Sequence, residues 1–337
     1  MNIYEWKNNL IAMPKKKAIP VLSFPCIQLL GITVNDLTSD SDLQAKGMKL
    51  VADRCDTAAA VSMMDLSVEA EAFGAKVRID ANEVPTVLGT LVEEAEDADA
   101  LAVPEVGAGR TGLYVDAIAK AAKLITDRPI FAGCIGPFSL AGRLIGMSEV
   151  MYACYDDPDM VKTVLEKATA FITEYARSFK AAGASGIVIA EPAAGILSAQ
   201  MCAEFSAPYC KAIVDAVQDD NFGVIYHNCG NAASLMLPEI LSCGAIGYHF
   251  GDAVNMEEIC AKMPSDVLVM GNVSPSQTFR GGNPDKMRSE TLAVMEKCCK
   301  YPNFVISSGC DIPPATPWEN IDAFFAAVAE FYKKLVK

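Results

Sequence analysis

Near the middle of the chain an imidazole and a thiol stand two residues apart, His227 and Cys229, in the run Gly223-Val224-Ile225-Tyr226-His227-Asn228-Cys229-Gly230. A β-strand turns alternate side chains to one face, so a nitrogen and a sulfur would lie side by side. Far downstream another apolar run ends in Ser307-Ser308-Gly309-Cys310-Asp311, and Cys310 is the natural third donor. One nitrogen and two sulfurs favour zinc over magnesium, calcium or manganese, which prefer oxygen. Three protein donors leave a fourth tetrahedral position free, the arrangement of a catalytic zinc rather than a closed structural one. The ten other cysteines are scattered through apolar segments and read as small buried hydrophobes.

Bringing distant donors together takes a scaffold that gathers strand ends. Apolar runs at 18–24, 57–64, 129–134, 186–190, 223–228, 245–250, 267–270 and 304–307 read as buried strands. Helical patterns cover 41–53, 113–125, 139–154, 158–182, 200–217, 231–242, 256–262, 284–299 and 318–335. Residues 77–87 alternate like a small hairpin, and Pro25, Cys26 and Gly31 read as loop. Residues 1–17 form a short N-terminal helical segment ending in a basic run. This alternation predicts an α/β protein, a (β/α)8 TIM barrel with an N-terminal helical extension, with 1–337 as a single barrel domain. Asp65, Glu191, His227, Cys229, His249, Asn272, Cys310 and Asp311 all fall at carboxyl ends of expected strands, where barrel active sites are built. No Gly-rich phosphate loop follows the first strand, which argues against a doubly wound sheet.

A formal charge of −14 argues against a nucleic-acid surface, which needs clustered Lys and Arg. No stretch approaches the ~20 continuous apolar residues of a membrane span. The opening Met1–Lys7 lacks an apolar core with a cleavage site behind it, so a cytoplasmic location with reduced cysteines is expected.

Several segments resemble the uroporphyrinogen decarboxylase superfamily over nearly the whole length. They are Met64-Asp65-Leu66 through Glu69-Ala70-Glu71-Ala72-Phe73-Gly74, Gly136-Pro137-Phe138-Ser139-Leu140-Ala141, Glu191-Pro192, Tyr226-His227-Asn228-Cys229-Gly230, Met270-Gly271-Asn272-Val273 and Gly309-Cys310-Asp311 through Asn320. The match is similar above all to the zinc-dependent corrinoid methyltransferases, the methylcobalamin:coenzyme M branch. There a His-x-Cys and a distant Cys bind zinc, which the resemblance carries onto His227, Cys229 and Cys310. The decarboxylases begin with an Arg-rich segment that grips a porphyrinogen; here no arginine precedes Arg54. That departure moves the expected reaction from decarboxylation to methyl transfer.

The resemblance implies a transferase that moves a methyl group between a corrinoid (methylcobalamin) and a zinc-activated substrate, a thiol such as coenzyme M. A methyl ether or alcohol, demethylated at oxygen, and a metal-free decarboxylase are the alternatives. No Asp-x-His-x-x-Gly cobalamin signature is present, so the corrinoid is expected on a partner protein docking over the strand carboxyl ends. Two carboxylates are candidates for catalytic work. Glu191 is a fourth, displaceable ligand, a general acid/base, or a cap on the next segment. Asp65 lies where the family keeps a functional carboxylate, with hydrogen bonding to loop amides as the alternative. His249 reads as a supporting or packing residue, while Asn272 and Asp311 are candidates to orient His227 or the substrate.

Overall fold

The computed structural model describes residues 1–335. Its strands are β1 (Ala60–Val61), β2 (Lys76–Arg78), β3 (Thr86–Leu88), β4 (Ile130–Ile135), β5 (Gly186–Ala190), β6 (Gly223–Asn228), β7 (Gly247–Phe250), β8 (Leu268–Val273) and β9 (Phe304–Ser308). β1 and β4 to β9 pair in chain order, all parallel, in one seven-stranded sheet, and β2–β3 is the expected antiparallel hairpin. Every residue of the seven sheet strands is buried, because helices cover the outside and side chains fill the inside. Burial on both faces explains why these strands read as continuous apolar runs rather than alternating ones.

The run 18–24, expected as the first strand, forms no regular ladder. It lies extended between β9 and β1 and closes the TIM barrel as an irregular eighth stave. Ile19 N–H donates to Ile306 O at 3.1 Å, and Ala58 N–H donates to Ala18 O at 3.0 Å. Pro20 has no N–H to give, and Val21 N–H turns to the Ser308 hydroxyl at 3.1 Å instead of a strand carbonyl. The side chains of Ile19, Val21, Phe131, Val188, Ile225, Met270 and Val305 fill the interior.

The N-terminal extension is the helix Ile3–Ala12, capped by the Asn2 side chain, which accepts from Glu5 N–H at 2.9 Å. Its apolar face plugs the amino-terminal end of the barrel. Ile3 and Leu10 join the interior cluster, and the Trp6 ring lies 5.6 Å from Phe131. Lys7 Nζ reaches the Asp266 carbonyl at 2.5 Å, tying the helix to the loop before β8. A cleft of about 430 Å3 beside this helix is lined by Trp6, Thr57, Asp127 and Arg128, at the end of the barrel away from the sulfur donors.

Other elements depart from expectation for local reasons. The helix expected over 139–154 divides at Gly146, whose φ of 112° no other residue adopts readily, into Pro137–Ile145 and Met147–Asp156. That over 200–217 breaks at Ser206 and restarts with Pro208 in its first turn. That over 231–242 shrinks to a 3-10 turn and the helix Leu237–Leu241. The segment after Pro25, expected as loop, holds the helix Cys26–Leu30, which Gly31 terminates in the left-handed region. Among the described residues no helix is long and apolar enough to cross a membrane.

Candidate metal centre and its surroundings

β6 places its last inward-facing side chain, His227, at the carboxyl end of the barrel, and the chain leaves the sheet through Asn228 and Cys229. The exit is fixed. Asn228 Oδ1 accepts from Gly230 N–H at 2.9 Å, and Gly251 N–H donates to Asn228 O at 3.2 Å. Gly251 must be glycine for this approach, since a Cβ there would stand 2.6 Å from Cys229 Cα. On the other side Gly309 N–H donates to Val273 O at 2.7 Å, holding the start of the loop that carries Cys310.

The three expected donors converge. A ring nitrogen of His227, Cys229 Sγ and Cys310 Sγ all lie within 4.8 Å of one another, and His227 Nε2 is 3.5 Å from Cys310 Sγ. The hydrogen bond from Cys310 and the nearby His227 ring lower the Cys229 pKa, whereas the same hydrogen bond and burial raise that of Cys310. A dication bound here would displace protons from these sulfurs.

His249 is the side chain that backs the donor histidine. It pairs with His227 in register across β6 and β7, and their Nδ1 atoms are 2.7 Å apart. Its Nε2 lies 2.7 Å from Ser307 Oγ, which in turn donates to Ile19 O at 2.7 Å. Burial and the neighbouring His227 push the His249 pKa well down, so the ring is neutral. Asn272 and Asp311 do other work. The Asn272 amide donates to Gly251 O and Val254 O at 2.9 and 3.0 Å, pinning the loop behind Cys229. Asp311 Oδ2 accepts from Met64 N–H at 2.7 Å, and its buried Oδ1 has no partner among the described residues.

Glu191 and Asp65 lie outside the donor cluster. Glu191 is fully buried and faces the start of the helix Pro137–Ile145. It accepts from Phe138 N–H at 2.9 Å, from Ser139 N–H at 2.9 Å and from the Ser139 hydroxyl at 2.7 Å, with the Cys210 thiol 3.6 Å away. Burial raises its pKa, and the bonds from Ser139 and Phe138 oppose the rise. Gly136 leaves room for it, as a Cβ there would meet Glu191 Cγ at 2.3 Å. Asp65 accepts from Arg110 at 2.6 Å, from the Tyr114 hydroxyl at 2.7 Å, and from the Ser67 hydroxyl at 2.6 Å. Arg110 also donates to Glu71 at 2.7 Å. Burial works against the Arg110 charge, but Asp65 outweighs it and the pKa rises. Arg110 and Tyr114 escaped the sequence reading, and Ser139 entered it only within the resembling segment 136–141, with no role given. Nothing local marks them, because each meets its carboxylate from a remote segment.

A family model described as uroporphyrinogen decarboxylase (URO-D) matches residues 17–331. The chain belongs to this family. Among its relatives are a methylcobamide:CoM methyltransferase, MtbA, of Methanosarcina acetivorans, 27% identical over 266 residues, 76% of this chain and 75% of the relative. A uroporphyrinogen decarboxylase of Hydrogenovibrio crunogenus is 26% identical over 313 residues, 90% of this chain and 87% of that one. Among solved structures, a methyltransferase from Methanosarcina mazei superposes with a TM-score of 0.85 at 26% identity, covering 98% of this chain and 99% of its own. The uroporphyrinogen decarboxylase family thus includes both methyl transfer and decarboxylation among the relatives of this chain. The stave 18–24 of this chain has no arginine.

Proposed function

We propose that the protein is a zinc-dependent methyltransferase that moves a methyl group between a corrinoid held by a partner protein and a thiol substrate. The observation that carries this reading is the convergence of His227, Cys229 and Cys310. A tetrahedral zinc with Zn–S of about 2.3 Å and Zn–N of about 2.0 Å spaces nitrogen and sulfur donors about 3.5 Å apart. His227 Nε2 and Cys310 Sγ stand at 3.5 Å. The relatives named as methylcobamide:CoM methyltransferases support the corrinoid and thiol assignments.

When bound, zinc supplies Lewis acidity that keeps a substrate thiol as thiolate at neutral pH. The chain's own part is to hold the site in shape. His227, Cys229 and Cys310 bind, Asn272 and Gly251 set the height of Cys229, and the packed interior beneath His227 excludes water. Glu191 and Asp65 take positioning roles in this reading. Glu191 anchors the helix after β4, and Asp65 with Arg110 and Tyr114 anchors the segment after β1, two parts of the rim over which a corrinoid protein would dock.

Metal analysis of the purified protein and a methylcobalamin demethylation assay with a panel of thiols and methyl ethers test this reading. The expected result is about one zinc per chain and a corrinoid spectral change that requires a thiol and is lost in Cys310→Ala. Absence of zinc together with decarboxylation of a porphyrinogen would assign the chain to the other branch of its family.

A further inference from the structure

The chain contains two histidines, and the structure puts them in contact. The hydrogen-bond chain that runs through them has a direction, set at its far end by a group that can only accept. Ile19 O is a buried backbone carbonyl on the irregular stave, and among the described residues no N–H donates to it. Its one partner is the Ser307 hydroxyl at 2.7 Å. A hydroxyl has a single proton, so Ser307 gives it to Ile19 and offers His249 only lone pairs. His249 Nε2, 2.7 Å from Ser307 Oγ, must then be the protonated nitrogen. Among the described residues no carboxylate touches His249 to support a second proton in this buried place, so its Nδ1 is bare. His227 Nδ1, 2.7 Å from that bare nitrogen, carries the proton of the shared bond. The remaining nitrogen, His227 Nε2, presents its lone pair toward the two sulfurs.

We infer that His249 and Ser307 are positioning residues that lock His227 in the Nδ1–H tautomer through a relay anchored on Ile19 O, so that Nε2 is ready to bind metal before any metal arrives. The inference rests on the reading of His227 as a metal ligand. Metal-bound histidines commonly donate their second N–H to a carboxylate, a backbone carbonyl or water. Here the acceptor is a neutral imidazole, and the carbonyl stands two hydrogen bonds further on. Pro20 removes one N–H from the irregular stave, and the missing ladder leaves Ile19 O free for Ser307. The break in the sheet therefore supplies the anchor of the relay.

Nitrogen-detected NMR of the full chain with isotopically labelled histidine reads both rings without overlap. In metal-free protein the expected pattern is a proton on Nδ1 of His227 and on Nε2 of His249, unchanged at His249 when zinc is added. A proton on Nε2 of His227 in the metal-free chain would overturn the relay. The expected pattern in a chain that takes up no zinc would leave the relay standing and remove the metalloenzyme reading, so the two can fail separately. As a second measurement, His249→Leu and Ser307→Ala, checked as folded by circular dichroism, should weaken zinc binding on the order of 10–100-fold in a chelator competition. His249→Asn, whose amide oxygen accepts near the Nδ1 position, should restore much of it. The visible spectrum of the cobalt-substituted protein should change in His249→Leu and recover in His249→Asn. Equal zinc affinity and an unchanged cobalt spectrum in all three variants would show that His249 merely packs.

Discussion

Replacing Glu191 by glutamine separates a structural carboxylate from a metal ligand or proton carrier. Four donors face the Glu191 carboxylate, from Phe138, Ser139 twice, and Cys210. Glutamine offers one oxygen and an NH2 group, so at least one backbone N–H at the helix start loses its acceptor and meets a donor. A hydrogen bond to a charged group contributes about 1.5–3 kcal/mol, and a buried N–H left unpaired costs about 1–3 kcal/mol. Relief from burying a charge, visible in the raised pKa, returns part of this. A net loss of roughly 3 kcal/mol is expected. Unfolding entropy of about 2.1 cal/mol/K per residue turns that into a Tm lower by about 4 °C for 337 residues. Differential scanning calorimetry and zinc titration, run on the same Glu191→Gln sample, give the answer. Zinc stoichiometry and affinity should match the parent. An unchanged Tm with zinc affinity reduced tenfold or more would refute the reasoning, since it would mean that Glu191 leaves the helix to bind the metal.

Three further outcomes are expected. Arg110→Met strands Asp65, whose side chain is fully buried, without its cation and should cost about 3–5 kcal/mol in urea unfolding, partly recovered by adding Asp65→Asn; a loss under about 1 kcal/mol would contradict the ion-pair assignment. Glu69 is buried, and burial pushes its pKa up to about 7 against the hydrogen bond from Ile135 N–H. Its folded pKa lies above its ordinary 4.5, so the folded protein holds the proton more tightly and stability drains away as pH rises from about 4.5 through about 7. Glu69→Gln lacks this loss and should gain about 3 kcal/mol over the parent between pH 4 and pH 8, a gain that equal urea midpoint differences at both pH values would disprove. Gly251→Ala would bring a Cβ within 2.7 Å of the Cys229 Cβ and should weaken zinc binding by tenfold or more in a chelator competition, whereas parental affinity would show that the loop gives way freely.

The nearness of His227, Cys229 and Cys310 was legible because strand geometry is local. His227 ends the inward face of β6 and Cys229 follows just past the strand's end, while Cys310 comes two residues after β9. The seven regular staves were legible for the same reason, as each is an unbroken apolar run. The eighth was read as a regular strand and is not one, because Pro20 removes a ladder bond, the Ser308 hydroxyl stands in for a carbonyl and the Ser307 hydroxyl for an N–H. Glu191 and Asp65 show the other limit. Their place at strand ends could be read, but what they face comes from afar: Arg110 lies 45 residues beyond Asp65, and Ser139 lies 52 before Glu191. His249 and Ser307 looked like ordinary strand-end polar residues, since a partner on another strand leaves no pattern in spacing.

The helix Ile3–Ala12 sets the traffic of the molecule. With Ile3, Trp6 and Leu10 packed into the amino-terminal end, the three donors lie at the opposite, carboxyl-terminal rim of the barrel. In the proposed reaction the small reactant and its product would both pass over that rim. A carrier protein seated on the rim in that reaction would bar the small reactant until it let go.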